Sequence, residues 1–458
     1  MALIVSISGI RGTIGGKPGN ALTPIEIVNF SSAYSSWLYK QEQYQTQQLS
    51  VIIGRDARVS GPIVSQLVTN TLLACGINVI DLGLATTPTV EMAVTHYKAQ
   101  GGIIITASHN PAEWNALKLL NSKGEFINAA EGELLLKMIE DSDFEYAPYH
   151  KLGEYSTADF VQTHIEAILK LDLVKQDEIK NRGFKVVLDA INSVGAISIP
   201  PLLKKLGVEC VVINGEVNGI FAHNPEPLEK NLSETLKAVK EHKADFGIVV
   251  DPDVDRLAFI DENGEMFGEE YTLVAVADYI LGHTPGATVS NLSSSRALSD
   301  ITQKHGQKYF AAAVGEVNVV RQMKSVDAVI GGEGNGGIIY PPLHYGRDAL
   351  VGVALFLSYL CETGRKVSQL KENYPIYVME KTKVDLNPSI IVDDVLKIVT
   401  EKFKNEKINI IDGVKIDFAE GWVHLRKSNT EPIIRIYAEG KTSDITKELV
   451  KRVTDVIL

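Results

Sequence analysis

The chain has 458 residues and a formal net charge of −12, and 45% of its residues are hydrophobic, as in an ordinary globular protein. Its length exceeds what one hydrophobic core can organise, so three or four domains are expected. The acidic charge excludes nucleic acid as the main partner, because a phosphate backbone requires a basic surface; a small anionic substrate would need a local cluster of Arg, Lys and backbone N–H groups.

The sequence also argues against a membrane or secreted protein. It contains no apolar run long enough to cross a bilayer. Residues 1–10 lack the basic region and cleavage site of a signal peptide and are typical of a first strand. Cys75, Cys210 and Cys361 are far apart in apolar surroundings, which favours free thiols over a disulfide or zinc site. We therefore expect a cytoplasmic protein.

A strand–helix–strand pattern occurs three times along the chain. In each copy an apolar strand leads into an amphipathic stretch, and a second apolar strand follows a glycine. This is the length of a βαβ unit with parallel strands and a right-handed crossover. The copies span 49–83, 185–215 and 287–311. The repeat predicts an α/β protein with three related α/β domains built on mixed sheets.

The pattern changes after Asn373-Tyr-Pro375, where strands and helices no longer alternate. The sequence predicts strands at 381–386, 407–417, 422–425 and 433–439, helices at about 391–404 and 443–457, and a hairpin turn at Asp412-Gly413. These elements indicate a smaller C-terminal α+β domain. The predicted domains are 1–155, 156–257, 258–371 and 372–458.

Two glycine-framed loops near the start of the chain carry arginines. Ser8-Gly-Ile-Arg-Gly12 places Arg11 after the first strand, and Gly54-Arg-Asp-Ala-Arg-Val-Ser-Gly61 places Arg55 and Arg58 after another. Surface arginines are common, so either loop is a weak signal alone.

The stretch Gly101-Gly-Ile-Ile-Ile-Thr-Ala-Ser-His-Asn-Pro111 is more informative. Ile103 to Ile105 predict a short buried strand, and Asn110-Pro111 predicts a turn. Ser108 then lies just past the carboxyl end of a strand, where α/β sheets bind ligands. It is a nucleophile, a phosphate carrier or simply a turn residue. Lys118, ten residues further on, lies beside the serine or is solvated.

The stretch Phe246-Gly-Ile-Val-Val-Asp-Pro-Asp-Val-Asp-Arg256 leads from an apolar strand into three closely spaced aspartates. Pro252 ends the strand, because it has no N–H to donate. Asp251, Asp253 and Asp255 would repel one another in a desolvated loop unless a cation compensated them, and their hard oxygens suit Mg²⁺. A solvated acidic turn is the alternative. An EF-hand is disfavoured, since Arg256 stands where that loop needs glycine.

Two later loops carry polar side chains between apolar strands. Gly331-Gly-Glu-Gly-Asn-Gly-Gly337 displays Glu333 and Asn335 on a backbone that can approach a ligand closely, unless it is only a flexible glycine loop. Arg426-Lys-Ser-Asn-Thr-Glu-Pro-Ile-Ile-Arg435 flanks a polar turn with two arginines. It has the groups of a phosphate clamp, although an ordinary polar hairpin has them too.

These last four loops, in this order, resemble the α-D-phosphohexomutase family over essentially the whole chain. Thr106-Ala-Ser-His-Asn-Pro111 is similar to its phosphoserine loop and Asp251-Pro-Asp-Val-Asp-Arg256 to its metal loop. Glu333-Gly-Asn-Gly-Gly337 resembles its sugar loop, and 426–435 its phosphate-binding loop. Together the loops are far more specific than any one of them. The resemblance implies four domains, each contributing one loop to a central cleft.

The resemblance also implies the chemistry. The family reversibly moves a phosphoryl group between O6 and O1 of a hexose phosphate. Phosphorylated Ser108 would donate to the free hydroxyl, and a hexose 1,6-bisphosphate would form, turn over and return the other phosphoryl group. Mg²⁺, a phosphoserine at Ser108 and the bisphosphate as activator are implied.

The residues to which the resemblance assigns roles fall into three sets. The catalytic set is Ser108, His109, Arg11, Lys118 and Arg256. The metal set is Ser108, Asp251, Asp253 and Asp255. The substrate-binding set is Glu333, Asn335, Arg426, Ser428, Asn429, Thr430 and Arg435.

The sugar loop departs from the family pattern. Bacterial members often read Glu-x-Ser-Gly-His, whereas Asn335 and Gly337 stand here in place of the Ser and the His. A histidine is therefore not available for acid–base work in this loop, which leaves Lys118, Arg11 or Glu316.

The Glu-x-Asn-Gly-Gly form, with Pro252 in the metal loop, resembles that of archaeal-type members of the family and of certain bacterial ones. This resemblance implies glucosamine-6-phosphate as the substrate and glucosamine-1-phosphate as the product. Phosphomannomutase or phosphoglucomutase activity is the alternative. A non-catalytic sugar-phosphate-binding protein and a serine hydrolase using Ser108 and His109 are remote rivals. The expected partner is a small hexose phosphate, with no nucleic acid and no membrane, for a monomer or homodimer.

Overall fold

The computed structural model describes residues 3–6, 9–41, 48–385, 392–427 and 433–457. The chain divides into two compact units. The first comprises Met1–Thr272 and Gly336–Gln369, and the second comprises Leu273–Asn335 and Leu370–Leu458. Within the described ranges no helix is long and apolar enough to cross a membrane.

The first part of the first unit is a mixed sheet flanked by helices. Its strands are β1 (Leu3–Ser6), β2 (Gly9–Thr13), β3 (Ser50–Arg55), β4 (Asn78–Leu84), β5 (Gly101–Ile105), β6 (Trp114–Leu120) and β7 (Tyr155–Thr157). Its helices are α1 (Pro24–Tyr39), α2 (Gly61–Ala74), α3 (Thr87–His96) and α4 (Ala129–Glu140). The strand order is β1-β2-β6-β5-β3-β4-β7. The central β5 is buried along its whole length, as expected of an apolar strand covered on both faces.

A second mixed sheet follows in the same unit. Its elements are α5 (Val161–Leu169), α6 (Gln176–Arg182), β8 (Lys185–Asp189), α7 (Gly195–Lys205), β9 (Glu209–Ile213), α8 (Ser233–Glu241), β10 (Phe246–Val250) and β11 (Leu257–Ile260). The order is β11-β10-β8-β9, with β11 antiparallel to β10. The buried apolar β10 ends directly at the aspartate loop.

The third group of elements carries the glycine-rich loop. It consists of α9 (Glu269–His283), β12 (Thr288–Asn291), α10 (Ala297–Lys304), β13 (Tyr309–Ala312), α11 (Glu316–Ser325), β14 (Ile330–Glu333), β15 (Gly337–Ile339), α12 (Ala349–Thr363) and α13 (Val367–Lys371). In the second unit β12 pairs in parallel with both β13 and β14. In the first unit α12 is an almost wholly buried apolar helix.

The C-terminal group is an antiparallel sheet with two helices. It consists of β16 (Val378–Asp385), α14 (Val392–Lys402), β17 (Lys407–Asn409), β18 (Val414–Asp417), β19 (Gly421–Lys427), β20 (Ile433–Gly440) and α15 (Ser443–Ile457). The strand order is β16-β20-β19-β18-β17. Its helices cover an apolar cluster that includes Val399, Ile416, Leu425, Ile436 and Val453.

The predicted α/β architecture is confirmed. Each of the three repeats is a strand–helix–strand unit with parallel strands, namely β3-α2-β4, β8-α7-β9 and β12-α10-β13. The single strand predicted at 407–417 is wrong, because β17 and β18 pair with each other across a hairpin. Its turn contains Gly413 at φ +71°, a backbone conformation that glycine adopts without steric cost.

The sheets extend past two of the predicted domain boundaries, which remain predictions. β7, which straddles the boundary at 155, pairs with β4 of the first sheet. β11, which begins at the boundary at 257, pairs with β10 of the second sheet.

Candidate active site

Ser108 lies on the loop that joins β5 to β6. Its side chain is buried, with the residue 7% exposed, and its φ of +48° is in the left-handed region that serine rarely adopts. Such a conformation persists only where the surroundings impose it. Thr106 contributes, because its Oγ1 accepts a hydrogen bond from the Ser108 N–H at 2.9 Å.

Arg58 holds this loop from behind. Its guanidinium donates to the carbonyl oxygens of Ser108 (2.6 Å), Asn110 (2.7 Å), Pro111 (2.6 Å) and Trp114 (2.9 Å). Its Nε donates to Asp56 Oδ2 at 3.1 Å, and both side chains are fully buried. The four bonds to carbonyl oxygens fix the path of the loop backbone, and the bond to Asp56 fixes the guanidinium. We name this set of contacts the Arg58 clamp.

The aspartate loop is anchored just as firmly. Val254 has φ +63°, an outlier for a β-branched residue. The Val254 carbonyl accepts from Ala349 N–H at 3.2 Å, and the Asp253 carbonyl accepts from Thr87 N–H at 2.9 Å. Ser193 Oγ donates to the Pro252 carbonyl at 2.6 Å. Elements from three parts of the first unit thus fix one short loop.

The three aspartates meet Ser108 within the first unit. Ser108 Oγ donates to Asp251 Oδ2 at 2.6 Å. One oxygen from each of Asp251, Asp253 and Asp255 lies within 4.8 Å of the others, and all three residues are fully buried. Three carboxylates at this separation form an oxygen-only donor set of the kind that Mg²⁺ prefers.

The unpaired oxygens of this cluster fit a cation. Among the described residues Asp253 Oδ1 and Asp255 Oδ1 are buried without a hydrogen-bond partner. The other oxygen of each is occupied: Asp253 Oδ2 accepts from Thr87 Oγ1 at 2.6 Å, and Asp255 Oδ2 accepts from Arg347 Nη2 at 2.6 Å. Buried acceptors without a partner are costly, and a metal ion would satisfy both.

Charge within the cluster is only partly balanced by cations of the protein. Lys118 Nζ lies 2.7 Å from Asp253 Oδ2 and 3.3 Å from Asp255 Oδ2. Burial alone would lower the pKa of Lys118, but the two carboxylates outweigh it and raise the pKa. Burial and the charges of Asp253 and Asp255 raise the pKa of Asp251 well above its usual range. Crowding of carboxylates therefore persists despite Lys118.

His109 contacts the serine but is not placed to be its base. Its Nδ1 lies 3.3 Å from Ser108 Oγ and its Nε2 lies 3.4 Å from Arg256 Nη2. Arginine only donates, so Nε2 must accept and the ring proton is assigned to Nδ1. Burial and the charge of Arg256 lower the pKa of His109 to about 2. The neutral ring thus donates to Ser108 Oγ and orients it.

The remaining cations of the predicted catalytic set are Arg11 and Arg256. Arg11 lies on β2, opposite Ala116 of β6, and Lys118 lies opposite Gly9. Residues two apart on paired strands share a face, so Arg11 and Lys118 project from the same side of the sheet. Arg256 is nearly buried, and within the described part of the chain its Nε has no hydrogen-bond partner.

Glu333 ends β14 and Asn335 follows it, and both belong to the second unit. Glu333 is buried, and its Oε1 accepts from Asn291 Nδ2 at 2.8 Å and from Gly315 N–H at 3.1 Å. Asn335 is half-buried two residues further on. The carboxylate is thus held in one orientation before any ligand arrives. Glu316, the other acid–base candidate, is buried at the start of α11.

The predicted phosphate clamp brings cations together across the C-terminal sheet. Arg426 on β19 is the cross-strand partner of Arg435 on β20, and Arg435 is also the partner of Lys383 on β16. Like charges directly opposite each other destabilise a sheet, so this row favours a bound anion. Ser428, Asn429 and Thr430, which were predicted to complete the clamp, lie outside the described residues.

His424 lies on the same strand, beside the row of cations. Its Nε2 contacts the carbonyl of Asp412 at 2.6 Å, and its Nδ1 lies 2.9 Å from Ser293 Oγ. Because a carbonyl only accepts, Nε2 carries the proton and Nδ1 accepts from the serine hydroxyl. Burial lowers the pKa of His424 to about 4, so the ring is neutral in the folded protein.

We expect this buried neutral histidine to make stability depend on pH. The unfolded chain takes up a proton near the ordinary pKa of 6.5, whereas the folded protein takes it up only near about 4, so stability falls as the pH drops through this window. Linkage gives a loss of about 2 kcal/mol between about pH 7.5 and pH 5. Urea unfolding at both pH values should show a smaller loss for His424→Gln than for wild type; equal losses would contradict the assignment.

Three groups that the structure places at these loops were not predicted from the sequence. Arg58 has the sequence context of an ordinary surface arginine, and no predicted motif contains Arg347 or Lys383. For Arg347 one signal was available, because the tripeptide Gly-Arg-Asp at 346–348 also occurs at 54–56, in the glycine-framed loop that carries Arg55 and Arg58. Lys383 had no local signal, since its place beside Arg435 depends on the pairing of β16 with β20.

The chain matches four domain families in succession. Residues 3–146, 162–264 and 268–377 match families described as "Phosphoglucomutase/phosphomannomutase, alpha/beta/alpha domain" I, II and III. Residues 377–456 match the family described as "Phosphoglucomutase/phosphomannomutase, C-terminal domain". Together the matches cover nearly the whole chain and include every loop of the candidate site.

Relatives of known name agree with this. The chain is 37% identical to a "Phosphoglucomutase/phosphomannomutase" of Thermococcus kodakarensis, covering 95% of this chain and 96% of that protein. It is 32% identical to a "Phosphoglucosamine/phosphogalactosamine mutase" of Sulfurisphaera tokodaii, covering 100% and 99%. Among solved structures, a phosphoglucomutase/phosphomannomutase family protein of Burkholderia thailandensis has the same fold, with a TM-score of 0.85 at 24% identity and coverage of 99% and 97%.

Proposed function

The chain is an enzyme of the α-D-phosphohexomutase family, and from this premise we propose that it moves a phosphoryl group reversibly between O6 and O1 of a hexose phosphate through phosphorylated Ser108. The observation that carries the proposal is the contact of Ser108 Oγ with Asp251 Oδ2 at 2.6 Å, inside a buried cluster of three carboxylates. A turn-forming serine would not need such an environment.

Asp251, Asp253 and Asp255 would hold the cation that the family uses, through the oxygens that face one another. When bound, Mg²⁺ supplies charge neutralisation for the phosphoserine and for the equatorial oxygens of the transferring group. A phosphoserine carries about −1.5 to −2 charge at neutral pH, so without such compensation it would be repelled by Asp251.

The remaining residues of the first unit would orient the phosphoryl group and move its protons. His109 donates from Nδ1 toward Ser108 Oγ and fixes the direction of the serine side chain. Arg256 carries a buried N–H without a partner among the described residues, which suits a phosphoryl oxygen. Lys118 and Arg11 share one face of the sheet; as cations they would stabilise the charge of the transferring group and donate a proton, and Glu316 is the remaining candidate for accepting the hydroxyl proton of the sugar.

The substrate-binding set would recognise the sugar and the phosphate that does not react. Glu333 and Asn335 are assigned to sugar hydroxyls common to both orientations of the intermediate. Arg426 and Arg435, with Lys383 beside them, are assigned to the phosphate that does not react. Such a clamp must accept the phosphate at either end of the sugar, so we expect it to recognise charge and not a particular carbon position.

For the substrate we propose glucosamine-6-phosphate, supported by the Glu-x-Asn-Gly-Gly form of the sugar loop and by relatives named phosphoglucosamine mutases. Glucose and mannose phosphates are the alternative, supported by the relative from Thermococcus kodakarensis. The free Cys75, Cys210 and Cys361 fit a reducing cytoplasm, where we place the reaction.

The deciding measurement is kcat/KM for glucosamine-1-phosphate, glucose-1-phosphate and mannose-1-phosphate side by side, with Mg²⁺ and a catalytic amount of hexose 1,6-bisphosphate. We expect a preference of at least about tenfold for the amino sugar, equal to about 1.4 kcal/mol in transition-state binding. Comparable rates on glucose and mannose with little on glucosamine would make the enzyme a dual phosphomannomutase and phosphoglucomutase. Absence of turnover on all three, in protein shown by mass to carry phosphoserine, would favour the binding-protein alternative.

A further inference from the structure

Arg347 lies between β15 and α12 and contacts the aspartate loop at Asp255, which is 92 residues away in sequence. Its side chain is nearly buried, and its Nη2 donates to Asp255 Oδ2 at 2.6 Å. Lys118 is farther from the same oxygen, at 3.3 Å, and closer to Asp253. Arg347 is therefore the nearest cation to Asp255 in the described part of the chain.

The backbone around Arg347 is tied to the loop that it contacts. Asp348 N–H donates to the Ile338 carbonyl at 2.8 Å, and Ala349 N–H donates to the Val254 carbonyl at 3.2 Å. Asp348 Oδ1 also caps α12 by accepting from Leu350 N–H at 2.8 Å. The backbone that carries the guanidinium is thus fixed relative to the aspartate loop.

A buried polar cluster supports this segment from behind. Asp348 Oδ2 faces His164 Nε2 at 2.9 Å and His344 Nε2 at 3.3 Å. The three residues have the composition of a metal site, but one carboxylate oxygen caps a helix and the other already serves both imidazoles. We therefore interpret the cluster as a structural support for the segment that carries Arg347 and not as a second metal centre.

The position of Arg347 has two opposite effects on a cation in the loop. It orders Asp255, which assists binding by the modest cost of restricting one side chain. It also places a permanent positive charge beside Asp255 Oδ2, while a cation would use Oδ1 of the same carboxylate. The guanidinium and the cation would then lie on one carboxylate, and like charges at that separation repel strongly in a buried site. The repulsion is the larger effect, so Arg347 opposes the metal more than it helps it.

We propose that Arg347 is an internal counterion of the metal loop: it holds Asp255 in place when no cation is bound, and it competes with the cation for that carboxylate. The metal-free loop then stays folded, and the cation remains exchangeable. Arg347 is a positioning residue in this role, since it acts through Asp255. The inference rests on the proposed Mg²⁺ site and deepens it.

The test is direct Mn²⁺ binding to the resting protein by titration calorimetry, comparing wild type with Arg347→Gln, at equal phosphoserine content checked by mass. We expect Arg347→Gln to bind Mn²⁺ at least about tenfold more tightly and, in chelator, to melt several degrees lower than wild type. Arg347→Lys, which keeps the charge, should bind Mn²⁺ nearly as wild type does. Arg296→Gln is the matched control, because Arg296 contacts the carboxylate of Asp417 in the second unit and should leave Mn²⁺ affinity unchanged.

Unchanged or weaker Mn²⁺ binding by Arg347→Gln would overturn the proposal, because loss of a purely structural contact predicts weaker binding. If Arg347→Gln does not fold without metal, Arg347→Lys and His344→Gln still test the proposal. Arg347→Lys should bind Mn²⁺ as wild type does, and His344→Gln should bind Mn²⁺ more tightly. The reverse order of affinities would overturn the proposal. A wild-type protein that binds Mn²⁺ but turns over no hexose phosphate would overturn the proposed function alone. A wild-type protein that binds no Mn²⁺ would overturn this inference.

Discussion

Replacing Ser108 by alanine is expected to reduce mutase turnover by several orders of magnitude while the fold survives. The hydroxyl is the group that would carry the phosphoryl, and it contacts the site directly, accepting from His109 and donating to Asp251. Removal of a nucleophile abolishes covalent catalysis and leaves only the contribution of binding and orientation. A coupled assay on each of the three hexose 1-phosphates would measure the loss.

Two controls make the Ser108 result specific. Ser122→Ala changes a serine in the turn after β6 and should retain wild-type turnover. The melting temperature of Ser108→Ala should fall by only a few degrees, because one buried hydrogen bond to Asp251 is lost and no large apolar side chain is removed. Near wild-type turnover by Ser108→Ala would exclude the phosphoserine mechanism, and labelling of Ser108 by a fluorophosphonate would favour the serine hydrolase.

Replacing Arg58 by glutamine is expected to cause a large loss of stability, about 3–5 kcal/mol in the free energy of unfolding. The change leaves Asp56 as a buried carboxylate without its cation and releases the carbonyls of the loop that carries Ser108. Burial alone raises the pKa of Asp56, so the unpaired group should protonate and Ser108 should leave its unusual backbone conformation. Urea unfolding would measure the loss, and mass spectrometry would measure the expected fall in phosphoserine content.

Arg55 supplies the matched control for the Arg58 clamp. It is the same residue type three positions earlier, it is half-buried, and its side chain donates to the carbonyl of Asp56 at 3.2 Å. Arg55→Gln should cost less than about 1 kcal/mol, the usual net contribution of a single hydrogen bond. A loss for Arg58→Gln no larger than that of Arg55→Gln would show that the clamp does not hold the loop.

Much of the fold followed from local pattern. Three local signals predicted their elements correctly: the apolar run at β5, the glycine that precedes the second strand of each repeat, and the proline that follows β10. The hairpin between β17 and β18 was predicted only in part. The turn at Asp412-Gly413 was predicted, but so was one continuous strand over 407–417 that includes the turn. Alternating apolar residues on both sides of the turn concealed the break.

The contacts around the site were less predictable because they join residues far apart in sequence. Arg58 and Trp114 are 56 residues apart, and Arg347 and Asp255 are 92 apart. A motif indicates which loops carry chemistry, but the partner of a buried arginine depends on how separate sheets pack. The same reason hid Lys383, whose neighbour Arg435 is set by strand register.

The Arg58 clamp has a consequence for how this loop can change over evolutionary time. It contacts the loop only through carbonyl oxygens, which every amino acid possesses, so it recognises the path of the chain and not the identity of the side chains. Substitutions at the positions between Ser108 and Trp114 therefore leave the clamp intact, whereas inserting or deleting one residue would displace several of its acceptors together. We therefore expect the clamp to tolerate substitutions in this loop and not to tolerate a change in the length of the loop.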